Sequence, residues 1–322
     1  MTGQLFLQNV IAIIWDFDKT LIPGYMQVPL FKRYAVDEVK FWSEVNALPQ
    51  EYLRRGTHRA SRDSLYLNHM LAYVRAGVFK GLTNATLHKL GEELELYPGL
   101  PDFFEVLKKV ATSDDRYRRH EISVEHYVVS TGLRAMIEGS KIVGHVEGIW
   151  ACEFVEGSPA PGFLDEKQAM LLEVESVITD IAYAIDNTSK TRAVFEINKG
   201  TNKLDDIDVN ASIAHTDRRV PFQNMIYVAD GPSDIPVFSI VNQYGGKTFA
   251  VYQAGSVSEF RQVNSLQEQG RVQSFGEASY TPGSQTYMWL TNAVQQIADR
   301  IVHDREQAIG DMTGKPPQHI LE

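Results

Sequence analysis

Several short apolar runs recur along the chain, and the polar and apolar positions between them repeat with helical spacing. Val10-Ile-Ala-Ile-Ile-Trp15 is almost unbroken in its apolar character and rich in β-branched residues. That pattern predicts a strand covered on both faces, as a central strand of a parallel sheet is. Runs at 126–129, 178–185, 225–229 and 248–252 repeat the signal. Segments 101–110 and 166–174 carry the amphipathic spacing of helices. Strand and helix in alternation predict βαβ units, and hence an α/β chain with a doubly wound, Rossmann-like parallel sheet.

One stretch breaks this rhythm. Between residues 26 and 96 the pattern is helical at 29–45, 61–76 and 83–94, with no convincing strand. The predicted organisation is therefore an α/β core from residues 1–24 and 96–322, with a mostly helical module, 25–95, inserted after the first strand. Tyr97-Pro-Gly-Leu-Pro101 reads as the turn leading back into the core. Residues 144–157 read as a small hairpin or extended ribbon, 287–306 as an amphipathic helix, and the Gly- and Pro-containing tail 310–322 as loose. No internal repeat is present.

Composition narrows the function classes. Of 322 residues, 43% are hydrophobic and 22% charged, which fits a folded globular chain rather than a disordered one. The 31 Lys and Arg against 41 Asp and Glu leave a net charge of −10, which disfavours a nucleic-acid partner. A single cysteine, Cys152, rules out an internal disulfide framework and a Cys-rich zinc module. The nine histidines show no paired metal-ligand spacing such as HExxH. No apolar run reaches the roughly 18 residues of a membrane span. The run at 9–15 is short, lacks a basic flank and ends on Asp16, unlike a secretory signal. A cytoplasmic protein with no membrane or nucleic-acid partner is expected; nothing in the sequence sets its oligomeric state.

The candidate chemistry sits where predicted strands end. Asp16-Phe-Asp-Lys-Thr20 follows the first strand directly. Residues two apart in extended chain share a side, so Asp16 and Asp18 point together at the carboxyl end of a strand, where open α/β sheets bind ligands. A turn or helix cap is the alternative reading of the same residues. A second predicted strand, 225–229, ends in Asp230-Gly-Pro-Ser-Asp234, with Asp234 one helical turn beyond Asp230. Asp234 reads equally as a helix N-terminal acid favoured by the dipole. Two such acid pairs form an all-oxygen donor set suited to Mg²⁺. Ser130-Thr131-Gly132 offers a hydroxyl and backbone N–H groups at a strand end, an oxyanion-binding arrangement. Lys190 opens a predicted helix at 191–197 and can reach a phosphoryl oxygen, with Lys199 as a weaker competitor at the helix end.

Taken in order, Asp16-x-Asp18-x-Thr20, Ser130, Lys190 and Asp230-Gly-x-x-Asp234 make the chain resemble the haloacid dehalogenase (HAD) superfamily, in particular its phosphoserine-phosphatase-like branch. The resemblance spans residue 11 to about 251, and the helical insertion resembles that branch's C1-type cap. It implies a Mg²⁺-dependent phosphomonoester hydrolase acting on a small-molecule phosphate through an aspartyl-phosphate. Asp16 would be the nucleophile, and Asp18 the acid for the leaving alkoxide and then the base for water. Thr20 would hold the motif's turn beside the substrate. Ser130, Thr131 and Gly132 would bind the phosphoryl group, and Lys190 would offset its charge. Mg²⁺ would be held by Asp16, the main-chain carbonyl of Asp18 and Asp230, with Asp234 nearby directly or through water.

The phosphoserine-specific enzymes carry an acid shortly after the first motif, whereas residues 21–29 here contain none. Phosphoserine is therefore not the expected substrate. Arg54, Arg55, Arg59 and Arg62 cluster around His58 in the insertion, as a solvated helix face or, alternatively, as contacts to an anionic substrate. Gly245-Gly-Lys-Thr248 lacks the earlier glycine of a phosphate-binding P-loop and precedes a strand, so a turn is expected. Two other readings remain open: a phospho-ligand-binding protein without turnover, and transfer of the phosphoryl group to an acceptor other than water.

Overall fold

A computed structural model describes residues 6–159, 161–164, 176–204 and 207–313. Its centre is β1 (Val10–Trp15), every residue of which is buried. A strand this apolar needs neighbours on both edges and both faces. It has parallel partners on both edges, β2 (Ser123–Leu133) and β5 (Met225–Ala229). Beyond β5 lie β6 (Lys247–Tyr252) and β7 (Ser274–Glu277), also parallel. Beyond β2 lies β3 (Gly148–Glu156), parallel to β2, and then β4 (Ile178–Tyr183), antiparallel to β3. The seven-stranded order is β4-β3-β2-β1-β5-β6-β7, the reversal of direction on either side of β1 that defines a doubly wound sheet.

Helices cover this sheet. In α5 (Asp102–Val110), Phe103, Phe104 and Leu107 form the buried stripe, and the helix packs against β2 and the long C-terminal helix α11 (Gln285–Thr313). The other core helices are α6 (Asp115–Arg119), α7 (Arg134–Gly139), α8 (Ser189–Lys199), α9 (Ile235–Gln243) and α10 (Val257–Glu268). Between β1 and α5 run α1 (Val28–Arg33), α2 (Glu38–Arg54), α3 (Arg62–Arg75) and α4 (Asn84–Gly91), with no strand among them. Their own small core is aromatic: Phe41 lies within 5.3 Å of Phe31, Trp42 and Tyr73, centroid to centroid. This helical segment is joined to the rest through α4 and α7. A Cβ on Gly91 would fall 2.1 Å from the Met136 carbonyl oxygen, and one on Gly139 would fall 1.9 Å from that of His88. Only glycine permits two helix backbones to approach so closely.

Several elements differ from the sequence expectation. The helix expected over 29–45 is two helices. The break falls at Ala35, whose φ is +52°, and Asp37 caps α2 by accepting the Lys40 N–H at 3.1 Å. The ribbon expected at 144–157 is not a hairpin but the single strand β3, pairing with β2 at its start and β4 at its end. The run at 178–185 is not a buried parallel strand: β4 is an antiparallel edge strand, largely exposed after Ile178, and its Thr179 and Asp180 suit that position. The C-terminal helix continues to Thr313, so residues 310–313 are helical rather than loose. The helix expected at 166–174 and the tail from 314 onward lie outside the described residues.

Candidate functional site

Strand register assembles the site. Trp15 lies opposite Val228 of β5 on one side and Val128 of β2 on the other. Asp16, Asp230 and Ser130 each come one or two residues beyond those partners, so three strands deliver them to the same edge. The Asp16 N–H continues the ladder by donating to the Val228 carbonyl at 2.9 Å. Oxygens of Asp16, Asp230 and Asp234 all lie within 4.8 Å of one another.

Lys190 closes this cluster. It is the second residue of α8 and is 1% exposed. Its Nζ donates to Asp16 Oδ1 at 2.9 Å and to Asp234 Oδ1 at 2.7 Å. Burial alone would lower the lysine's pKa, but the charges of Asp16 and Asp234 outweigh it and hold the ammonium well above its ordinary value. Lys199 is no competitor: its Nζ donates to the carbonyls of Val209 and Ala211. Asp234 is fully enclosed, and its oxygens also accept from the hydroxyls of Tyr227, at 2.6 Å, and Ser233, at 2.6 Å. Three donors on one carboxylate suit it to positioning Lys190 more than to serving as a direct cation ligand.

The carboxyls of the first motif sit in different electrostatic settings. Burial raises the pKa of Asp16 to about 6, with Lys190 opposing the rise. Asp18 is raised further, to about 8, by burial and then by the charge of Asp16, although its Oδ1 accepts the Met26 N–H at 2.9 Å. Of the two, Asp18 therefore holds its proton to the higher pH, the ordering that acid–base pairs exploit. Asp230 is also pushed well above the ordinary carboxyl range, by burial and the neighbouring charges of Asp16 and Asp234. A group of oxygen donors each resisting ionisation is short of positive charge. A divalent cation fits that deficit, and the ligand types fit Mg²⁺.

The remaining predicted residues fall around this cluster. Ser130 is buried, and its Oγ accepts the Gly132 N–H at 3.0 Å. The strand does not stop at Ser130 as a simple strand-to-helix turn would. β2 runs on to Leu133 through a register shift between Val129 and Leu133. Gly132 is packed against Met26, whose Sδ accepts the Leu133 N–H at 3.0 Å. Thr20 is buried in the turn after Asp18, where its carbonyl accepts from the Tyr280 hydroxyl at 2.6 Å. Thr131, Gly132 and Asp18 line a cavity of about 480 Å³ between the helical segment and the sheet edge, and Thr20 does not. Arg54 and Arg55 are exposed, paired with Glu51 at 2.8 Å each, and Arg59 and His58 are also exposed.

Some residues of the site carried no signal that the motifs supplied. Tyr227 is a polar side chain within the buried run of β5. Asp186 caps α8, accepting the Thr188 and Ser189 N–H groups at 3.0 and 2.6 Å, and so fixes the helix start from which Lys190 projects. The Asp-x-x-Ser spacing ahead of an apolar run is a readable cap signature. Tyr66 of α3 donates to the Thr131 carbonyl at 2.6 Å and ties the helical segment to the Ser130 loop. Among the described residues no helix is long and apolar enough to cross a membrane.

Comparison with known proteins gives the chain its relatives. No protein-family model matches it. Its fold is similar to that of a HAD family hydrolase from Salmonella enterica subsp. enterica serovar Typhi, with a TM-score of 0.48 and 13% identity over 83% of this chain and 66% of that one. It is also similar to a probable phosphoserine phosphatase from Vibrio cholerae, with a TM-score of 0.49 and 12% identity over 93% of this chain and 69% of that one. A protein of Borreliella burgdorferi, described as uncharacterized, is 36% identical over 290 residues, which are 89% of this chain and 97% of that protein. Likeness of that degree over almost the whole of both chains means that this chain belongs to one family with the Borreliella burgdorferi protein.

Proposed function

We propose that the chain is a HAD-type, Mg²⁺-dependent hydrolase of small phosphomonoesters that forms an aspartyl-phosphate on Asp16. The observation that carries this reading is the buried bridge of Lys190 between Asp16 and Asp234, set beside Asp230 at the carboxyl edge of the sheet. A buried lysine shared by two acids, with a third acid in reach, is costly to fold and is explained by a task involving anionic oxygens. The residues supporting the reading come from four separate parts of the chain in the order the HAD motifs take.

In this mechanism the Asp16 carboxylate attacks phosphorus while the bond to the ester oxygen breaks. Lys190 holds the carboxylate in place and offsets charge as the phosphoryl group approaches. Asp18, which holds its proton more strongly than Asp16, gives it to the departing alkoxide. The resulting Asp18 carboxylate then takes a proton from the water that attacks phosphorus and frees Asp16. Ser130 and the backbone N–H of Thr131 face the phosphoryl oxygens, with the Gly132 N–H holding the Ser130 hydroxyl oxygen in place. Asp16, the Asp18 carbonyl and Asp230 would hold Mg²⁺, which supplies charge neutralisation between nucleophile and phosphate when bound. The helical segment 25–95 acts as the cap over the cleft.

Release of inorganic phosphate from a panel of phosphomonoesters, with Mg²⁺ and with a chelator, tests the reading. Metal-dependent release that disappears in Asp16→Asn supports it. Equal release by that variant excludes Asp16 as nucleophile, and no release from any ester by the wild type leaves a ligand-binding protein.

A further inference from the structure

The cavity beside Asp18, Thr131 and Gly132 has a composition that the reaction itself does not require. Its outer wall comes from the helical segment and is aromatic: Tyr25 and Trp42 lie 5.6 Å apart, centroid to centroid, and Trp42 and Tyr66 lie 6.0 Å apart. Trp42 packs nearly at right angles to Phe31 and Phe41, with centroids at 6.2 and 5.3 Å, so its place in the wall is set before any ligand arrives. Tyr66 is fixed through its hydroxyl on Thr131.

The polar groups on this wall are acceptors or neutral. Asp63, at the start of α3, lines the cavity, and Asp18 is the other acid among its described lining residues. Gln27, 98% buried, also lines it, and its Oε1 has no hydrogen-bond partner among the described residues. No described lysine or arginine lines the cavity. Lys19, the nearby cation, stands 5.0 Å from the Tyr25 ring centroid, is paired with Glu259 at 3.6 Å and is not part of the lining.

The rings of Trp42 and Tyr66, that of Tyr25, which also faces Lys19, a carboxylate and an unsatisfied carbonyl, with no lysine or arginine among the described lining residues, form a receptor for a positively charged group. Aromatic faces attract ammonium ions, and most strongly where water is excluded. From this juxtaposition we infer that the substrates are phosphate monoesters of amino alcohols, whose ammonium group seats among Tyr25, Trp42, Tyr66 and Asp63. The inference rests on the hydrolase reading above and names its substrate class. A leaving group that also carries a carboxylate has no described cation to meet it and would face Asp63. The ammonium also offsets part of the roughly −2 charge that a phosphate brings to an acidic site.

The test compares 2-(trimethylammonio)ethyl phosphate and 2-aminoethyl phosphate with 3,3-dimethylbutyl phosphate, the uncharged isostere of the first, and with O-phosphoserine. Phosphate release is measured with Mg²⁺. At least one cationic ester is expected to exceed the uncharged isostere about tenfold in kcat/KM, and O-phosphoserine is expected to trail 2-aminoethyl phosphate. Trp42→Leu and Asp63→Asn are each expected to cut the cation-to-isostere ratio below about threefold; Trp42→Phe, which keeps a ring, retains part of it. A wild-type ratio near one, with release still abolished in Asp16→Asn, overturns the inference and leaves the hydrolase reading standing. If no ester is hydrolysed, the hydrolase reading falls, and calorimetry with the same compounds decides the cavity. Tighter binding of the cationic esters then sustains the receptor, and equal binding overturns it.

Discussion

Replacing Lys190 by methionine removes one ammonium and keeps most of the side chain's volume. What remains is a set of acids, Asp16, Asp230 and Asp234, whose oxygens lie within 4.8 Å of one another, with Asp234 fully enclosed. Breaking a buried ion pair by deleting one partner costs about 3–5 kcal/mol, because the other charge is left without compensation. Taking about 4 kcal/mol, and an unfolding entropy of about 0.7 kcal/mol/K for a chain of this size, the melting temperature should fall by about 6 °C at pH 8 if the chain melts in one transition.

The effect should depend on pH in a definite direction. Burial and mutual repulsion already raise Asp16 and Asp230, and losing Lys190 raises Asp16 further. The folded variant therefore binds protons that the unfolded chain releases above about pH 4. Its stability is retained at low pH and lost as pH rises through the folded values. Thermal melts of wild type and variant, metal-free, at pH 5 and pH 8 read this directly. The gap between them should widen toward pH 8 and narrow when millimolar Mg²⁺ is added. Equal melting temperatures at pH 8, or a gap that is the same at both pH values, would refute the idea that Lys190 compensates a buried acid cluster.

Other substitutions probe the neighbouring parts. Asp18→Asn should slow the first, alkoxide-releasing step by about 10²–10⁴-fold for alkyl phosphates and by much less for an aryl phosphate, read as the burst of phenolate that precedes the water step, because phenolate leaves without a proton; equal losses in that first step would count against Asp18 as the acid. In the metal-free protein Asp18, raised to about 8 from 3.8, disfavours the folded state as pH climbs across that interval. Asp18→Asn should accordingly raise the melting temperature at pH 8.5 and leave it nearly unchanged at pH 4. Asp230→Ala should raise the Mg²⁺ concentration needed for half-maximal activity, whereas an unaltered metal titration would remove it from the ligand set. Gly91→Ala should cost about 3 kcal/mol or more, since the added carbon meets the Met136 carbonyl rather than a movable side chain; urea denaturation measures it, and a loss below 1 kcal/mol would contradict that contact.

How much of this was legible in the sequence follows from the range of the forces involved. β1 was readable because a strand buried on both faces must be apolar at every position, and Val10–Trp15 is. The motifs were readable because Asp16 and Asp230 follow buried strands and Lys190 opens a helix, whereas Ser130 lies within β2; the parallel register brings Asp16, Ser130 and Asp230 to one edge. The antiparallel course of β4 was not readable. Direction in a sheet depends on which edge is vacant, and Ile178-Thr-Asp-Ile-Ala-Tyr183 carries similar residues in either direction. The pairing of Asp234 with Lys190 was equally hidden. It depends on Tyr227 and Ser233 filling the carboxylate's remaining positions, a matter of side-chain geometry. The aromatic wall was out of reach for the same reason, because Tyr25, Trp42 and Tyr66 are distant in sequence and meet only when α2 and α3 pack.

The glycine contact between α4 and α7 bears on how such a chain can change over time. It joins backbone to backbone, so its geometry does not depend on the chemistry of any side chain nearby. Exchanges in α2 and α3 therefore leave this joint to the core in place, while Tyr66 of α3 carries a second, side-chain tie through Thr131. Members of one family can diverge in what they admit to the cleft while the platform below stays the same.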